Sequence, residues 1–145
     1  MRVINTVLLV APMLSWAASA GAAGYYDGES TLLCTAFRME QCDAADGCVK
    51  VKPEDIDAGT AQWIVDFKHK SVKRADPNSR STSQIASVQY IEGTLYAQAI
   101  EAGNPNALDG IAWSLSVSDP DGAMSLAAVS RAVAFYGEGA CVPMR

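Results

Sequence analysis

From Thr31 onward the apolar residues recur in short alternating bursts, with almost no helical periodicity. The clearest burst is Trp63-Ile64-Val65-Asp66-Phe67-Lys68-His69-Lys70. In an extended strand it places Trp63, Val65 and Phe67 on one face and Asp66, Lys68 and Lys70 on the other, so one face belongs to a core. Thr31 to Met39 alternates loosely from Leu33 and contains little that would break a strand. Val49-Lys50-Val51-Lys52 alternates strictly until Pro53 ends it, and Pro53-Glu54-Asp55-Ile56 has the proline and acids of one short helical turn. Lys73 to Ser83, rich in Lys, Arg, Ser and an Asp-Pro pair, reads as an exposed connection.

Gln84 to Ile91 and Thr94 to Ile100 are β-prone runs with only Glu92-Gly93 between them, the spacing of a tight hairpin. Gly103-Asn104-Pro105-Asn106 is a loop signal. Ile111 to Val117 carries Trp113, Leu115 and Val117 on one face, Asp119-Pro120-Asp121-Gly122 turns the chain, and Ala123 to Val129 returns as a second hairpin. Ser130-Arg131 is a shorter break before Ala132 to Tyr136, after which Gly137 and Gly139 lead to Cys141. Regular turn signals between short strands predict an all-β domain: a small antiparallel meander, β-barrel-like or a curved sheet closed on itself, with at most one short helical turn.

The N-terminal stretch changes the picture by assigning a compartment. Arg2 gives a positive start, Val7 to Trp16 is apolar, and Ala18-Ser19-Ala20 is a small-residue cleavage pattern before Gly21, which together read as a secretory signal peptide over residues 1–20. The apolar run falls short of the ~20 residues of a membrane span, and nothing later approaches that length. No cysteine lies near the cleavage point to carry a lipid. The expectation is a periplasmic or secreted protein with no membrane span after cleavage. Residues 21–30, small and polar apart from Tyr25 and Tyr26, form a flexible lead-in, and residues 31–145 form one domain.

Cys34, Cys42, Cys48 and Cys141 all lie in the exported portion, and an even number in an oxidising compartment reads as two disulfides. Three connectivities are open. The turn-rich Asp43-Ala44-Ala45-Asp46-Gly47 favours a local Cys42 to Cys48 bond, which leaves Cys34 to join Cys141 and tie the chain ends. A zinc site from these cysteines and His69 lacks any C-x-x-C pair, so no metal and no cofactor is expected.

The formal charge of −5 argues against nucleic acid, whose phosphates demand a basic surface. Within this acidic chain Lys68, Lys70, Lys73, Arg74 and Arg80 make a local basic run, the candidate partner-binding segment for an anionic envelope component or an acidic protein. The competing reading is a solvated strand face whose lysines resist edge pairing.

The mature chain resembles a group of small exported proteins, mostly from alphaproteobacteria, that carry no established function. The likeness lies in Cys34 followed by Cys42 and Cys48 around an acidic Gly-containing loop, then the Trp63-Ile64-Val65-Asp66-Phe67 strand. Ala112-Trp113-Ser114-Leu115-Ser116-Val117, a Gly turn and Gly139-Ala140-Cys141 complete it. These are structural motifs, so the resemblance implies fold and compartment without chemistry. A weaker likeness is to bacterial inhibitors of c-type lysozyme, also small exported β-domains with cysteines towards both ends and a central Trp. Their Ser-Ala-Ser-Gly inhibitory loop has no counterpart; Ser79-Arg80-Ser81-Thr82-Ser83 shares only serine content.

No catalytic residues emerge. His69, the single histidine, continues the face of Trp63, Val65 and Phe67 and reads as a rim or partly buried structural residue, and no G-x-S-x-G elbow accompanies it. Asp119-Pro120-Asp121-Gly122 opens like a calcium loop but no closing acid follows, and Asp43, Asp46 and Gly47 are likewise turn residues. Glu92, Glu101, Asp109 and Glu138 are scattered acids whose spacing defines no glycosidase pair; they read as surface solubilisers. The expectation is a non-enzymatic binding or interaction module, with an inhibitor of a secreted hydrolase such as lysozyme as the alternative and a periplasmic enzyme third. A sheet closed around an apolar cavity would favour a small ligand, and a solid interior would favour surface recognition.

Overall fold

The computed structural model describes residues 26–52, 55, 61–78, 82–103, 106, 110–119 and 121–144. The expected signal peptide, the body of the expected Pro53 turn and Arg80 lie outside them. Among the described residues the chain is all-β and antiparallel, curled into a half-barrel. Its strands are β1 (Leu32–Asp43), β2 (Gly47–Val51), β3 (Gln62–Asp66), β4 (Ser71–Arg74) and β5 (Thr82–Gln84), followed by β6 (Ser87–Ile91), β7 (Thr94–Glu101), β8 (Ile111–Ser118), β9 (Ala123–Val129) and β10 (Val133–Pro143). The order across the sheet is β5-β4-β3-β1-β10-β9-β8-β7-β6, with β2 paired to β1 beside that path.

Local chemistry explains the hairpins. Between β6 and β7, Glu92 and Gly93 both take positive φ, 48° and 80°, the twist that a two-residue turn needs to join right-twisted strands. Between β1 and β2, Asp43 Oδ1 accepts the backbone N–H groups of Ala45 and Asp46, closing the loop that Cys42–Cys48 spans. β10 runs on through Gly137 and Gly139, beyond the end at Tyr136 of the run that the sequence pattern marked. A Cβ at Gly139 would run into the Thr35 carbonyl oxygen and the Met124 side chain, so glycine here allows β10 to lie close against β1.

The strand expected over Trp63 to Lys70 is shorter. β3 ends at Asp66, and Phe67 to Lys70 turn the chain: Asp66 Oδ1 accepts the His69 N–H at 3.0 Å, Lys70 N–H donates to the Phe67 carbonyl at 3.2 Å, and Lys70 adopts φ 50°. Side-chain capping by the aspartate overrides the continuing alternation. The connection expected over Lys73 to Ser83 is likewise partly strand, because Lys73 and Arg74 close β4 and Ser83 sits in β5, paired with Val72 and buried. The run from Gln84 to Ile91 is broken at a corner. Ile85 N–H donates to the Lys70 carbonyl and Ala86 N–H to the Gln98 carbonyl, both at 2.8 Å, so within one residue the chain steps from one edge of the curled sheet to the other.

The core is the inner face of the curl. Leu32, Cys34 and Ala36 from β1, Val65 from β3, Leu95 and Ala97 from β7, Leu115 and Val117 from β8, Met124 from β9 and Cys141 from β10 are all buried there. Tyr26 reaches this core from the lead-in, only 6% exposed, and its hydroxyl donates to the Cys141 carbonyl at 3.0 Å. The segment before β1 is thus pinned at that point.

Candidate functional site

The inner face does not pack solid. Between Trp63, Trp113 and Phe135 the walls line a half-open cavity of about 360 Å³. The ladders explain which side chains meet there. Trp113 of β8 lies opposite Ala99 of β7 and Ala128 of β9, and Leu115 lies opposite Ala97 and Leu126. The alanines leave room that larger residues would fill, so Trp113, Leu126 and Phe135 remain only partly buried although all face inward. Val65, Val72 and Met39 continue the apolar wall on the other side of the curl.

One corner of this wall is polar. The Trp113 indole N–H points at Ser83 Oγ, 2.9 Å away, and at Glu101 Oε1, 3.2 Å away, so one donor is shared between an alcohol from β5 and a carboxylate from β7. This fixes the plane of the indole and ties the two sides of the curl across the interior. Arg74, opposite Trp63 in the β3–β4 ladder, lines the same cavity. The site therefore combines an apolar body, two indoles and polar groups of both charge signs in its lining. Glu101, expected among surface solubilisers, is a wall residue of this cavity. Ser83 and Arg74 came from a stretch that read as exposed; their inward direction follows from pairing with β3 and β4 and has no local signature.

The basic run is divided by the fold. Lys68 and Lys70 lie in the β3–β4 turn; Lys73 and Arg74 are neighbours on β4, Lys73 exposed and Arg74 partly buried, and both border the inner cavity. His69 is not part of an apolar rim. Its side chain is 73% exposed and its Nδ1 lies 2.8 Å from Asp66 Oδ2. The Asp66 carboxyl is held below the usual carboxylate range, first by the His69 backbone N–H and then by the His69 ring. On the far side, Tyr90 donates to Asp119 Oδ2 at 3.1 Å; its phenol is pushed up by partial desolvation and by that carboxylate. Of the remaining acids, Glu138 pairs with Arg38 across β10 and β1 at 3.8 Å, Glu92 sits in the β6–β7 turn, and Asp109 lies outside the described residues.

The disulfides are Cys34–Cys141 and Cys42–Cys48, each joining residues directly opposite in the ladder. They belong to an oxidising, non-cytoplasmic environment. Among the described residues no helix is long and apolar enough to cross a membrane, and no group of three or more His, Cys, Asp and Glu side chains is placed to hold a metal ion. No protein-family model matches the chain, and neither a curated protein nor a solved structure shows significant similarity to it.

Proposed function

We propose that the protein is an exported, periplasmic or secreted, non-enzymatic binding module that takes a small, mostly apolar ligand into the half-barrel. The observation that carries this reading is the inner cavity with its apolar walls and single polar corner. Ligand sites are typically concave and apolar with a few convergent polar groups, in the range of about 300–1,000 Å³. The ligand body would lie against Trp63, Leu126 and Phe135 while its polar end meets Ser83, Glu101 and Arg74. Because the Trp113 ring is already held by hydrogen bonds, little side-chain freedom would be lost on binding, which favours affinity. The signal-peptide pattern and the two disulfides support the compartment.

Titration with 1-anilinonaphthalene-8-sulfonate, an apolar fluorophore with an anionic group, tests the site. Ala128→Leu adds bulk beside Trp113 and should weaken probe binding about tenfold or more, the equivalent of about 1.4 kcal/mol, while leaving the melting temperature unchanged or higher. Leu126→Phe should act in the same direction and covers the case in which the first variant folds poorly. Undiminished probe binding in a folded cavity-filling variant would overturn the proposal.

A further inference from the structure

The opposite, outer face of the sheet carries a second recess, which shares only Met39, Leu115 and Leu126 with the lining of the inner cavity. The volume of this recess is about 990 Å³. The ladder registers define its floor: Glu138 of β10, Ser125 of β9, Ser116 of β8 and Tyr96 of β7 form one row across the sheet, and Tyr136, Ala127, Ser114 and Gln98 form the next. Large rings stand at the two sides, with small hydroxylated residues between. Phe37, Tyr136 and Tyr96 are 66%, 50% and 42% exposed, so their rings face water in the described chain.

Phe37 is there because of an irregularity. The β1–β10 register shifts between Ala36 and Arg38, leaving Phe37 as the extra residue of a bulge; Ala36 and Met39 stay buried while Phe37 and Arg38 both stand outward. Bulges commonly re-aim side chains at functional surfaces. With strands about 4.8 Å apart, Phe37 and Tyr96 lie roughly 19 Å from each other across four strand steps, with Tyr136 nearer Phe37. That is an elongated track of rings.

We infer that this outer recess is a glycan-binding track, in which Phe37, Tyr136 and Tyr96 stack on the C–H faces of successive sugar rings while Ser114, Ser116, Ser125 and Gln98 meet their hydroxyls. Three observations select a glycan over other occupants. The floor strands β10, β9 and β8 each have a neighbour on both sides, so their backbone groups are used and an extended peptide could not be added as a strand. The rim charges are mixed, with Arg38 against Glu138 at 3.8 Å and Lys50 directly across the ladder from Glu40, and Lys52 adds only one further cation, which gives no strong single-sign field for nucleic acid or an anionic membrane. The floor is hydroxylated and amide-bearing, with Ser116 Oγ only 3.5 Å from the Ser125 carbonyl, a contact long enough to yield to a better partner. Aromatic rings beside serines supply rigid stacking area and adaptable hydrogen bonding together.

The test uses the oxidised, folded chain and two soluble probes, chitotetraose and cellotetraose, followed by backbone-amide chemical-shift perturbation. The expected result is saturable shifts with at least one probe, confined to the outer-face rows and to Phe37. Tyr136→Ala and Tyr96→Ala should each weaken binding about tenfold, the usual scale for losing one stacking platform, whereas Ala128→Leu on the inner face should leave it unchanged. Ser116→Arg, which fills the floor without removing a ring, should abolish binding in a chain of unaltered melting temperature. Absence of binding to both tetrasaccharides, shifts mapping to the inner cavity, or unchanged affinity in the ring variants would each overturn the assignment. Because the two sites lie on opposite faces, failure here leaves the cavity reading intact, and the fluorophore titration reports on that separately.

Discussion

β1 passes through two settings with one neighbour in common. β10 flanks its whole length, but from Leu32 to Thr35 the other neighbour is β3, and from Met39 to Asp43 it is β2. Each half holds one disulfide between residues already opposite in a ladder. In the first half Cys34 and Cys141 are each 1% exposed and the bond closes a separation of 107 residues. In the second, Cys48 is exposed, Cys42 is partly so, and the separation is 6. The same covalent link thus does different work. In the first half it joins distant chain segments inside the core; in the second it fastens a turn that Asp43 already shapes.

The sharpest way to break the comparison is to remove each bond in turn. Loop-closure entropy assigns about 4 to 5 kcal/mol to a ring of the longer kind and about 2 to the shorter, within a total stability of about 5 to 15 for an ordinary domain. Cys34→Ser with Cys141→Ser, which also leaves two hydroxyls in an apolar core, should lower the thermal midpoint severely or prevent folding at 37 °C. Cys42→Ser with Cys48→Ser should cost a few degrees. Equal losses in the two double variants would erase the distinction. A smaller effect separates the halves without mutation: under native conditions a thiol reductant should open Cys42–Cys48 first, because attack requires access to sulfur, while Cys34–Cys141 should open only with global unfolding. Mass-resolved alkylation would show a singly reduced species carrying label at residues 42 and 48. Label appearing first at 34 and 141 would refute the burial argument.

The smallest expected effect lies in the turn beyond β3, the strand that shields the buried half. The Asp66 carboxyl is lowered mainly by the His69 N–H, so its contribution is fully present above the unfolded carboxylate range near about 4 and is lost as pH falls through its lower folded value. Asp66→Ala should therefore cost about 1 kcal/mol at neutral pH, discounted for solvent access, and the gap between variant and wild type should close as the medium is acidified. A gap independent of pH would assign the cost to packing and not to the charged hydrogen bond.

Much of the fold was legible where the physics is local. Trp63, Val65 and Trp113, Leu115, Val117 announced their faces by alternation, Glu92-Gly93 announced a hairpin, and cysteine spacing announced both bonds. What escaped was set by distant partners or by single side chains. Nothing near β1 says that its two halves will meet different strands. The alternation through Lys68 to Lys70 gave no warning that the Asp66 side chain would cap a turn, and serine-rich surroundings hid Ser83. The candidate site was least legible of all. Arg74 and Ser83 are distant in sequence from Glu101 and Trp113, and only the curl brings them to one cavity, whereas the long interval between Phe37 and Tyr96 conceals that they border one outer recess.

The place of β10 has a consequence for the order in which the chain can be assembled. Polypeptides are made N-terminus first, and domains fold as their parts emerge. β1 is among the first ordered segments available, yet its constant neighbour is the last strand to arrive. Until β10 is made, Leu32, Cys34 and Ala36 have no completed layer to enter, and β1 has only β2 and β3 to pair with. A premature stop before Val133 would therefore take away the middle of the sheet and not its margin, leaving two flanking sets of strands with nothing between them.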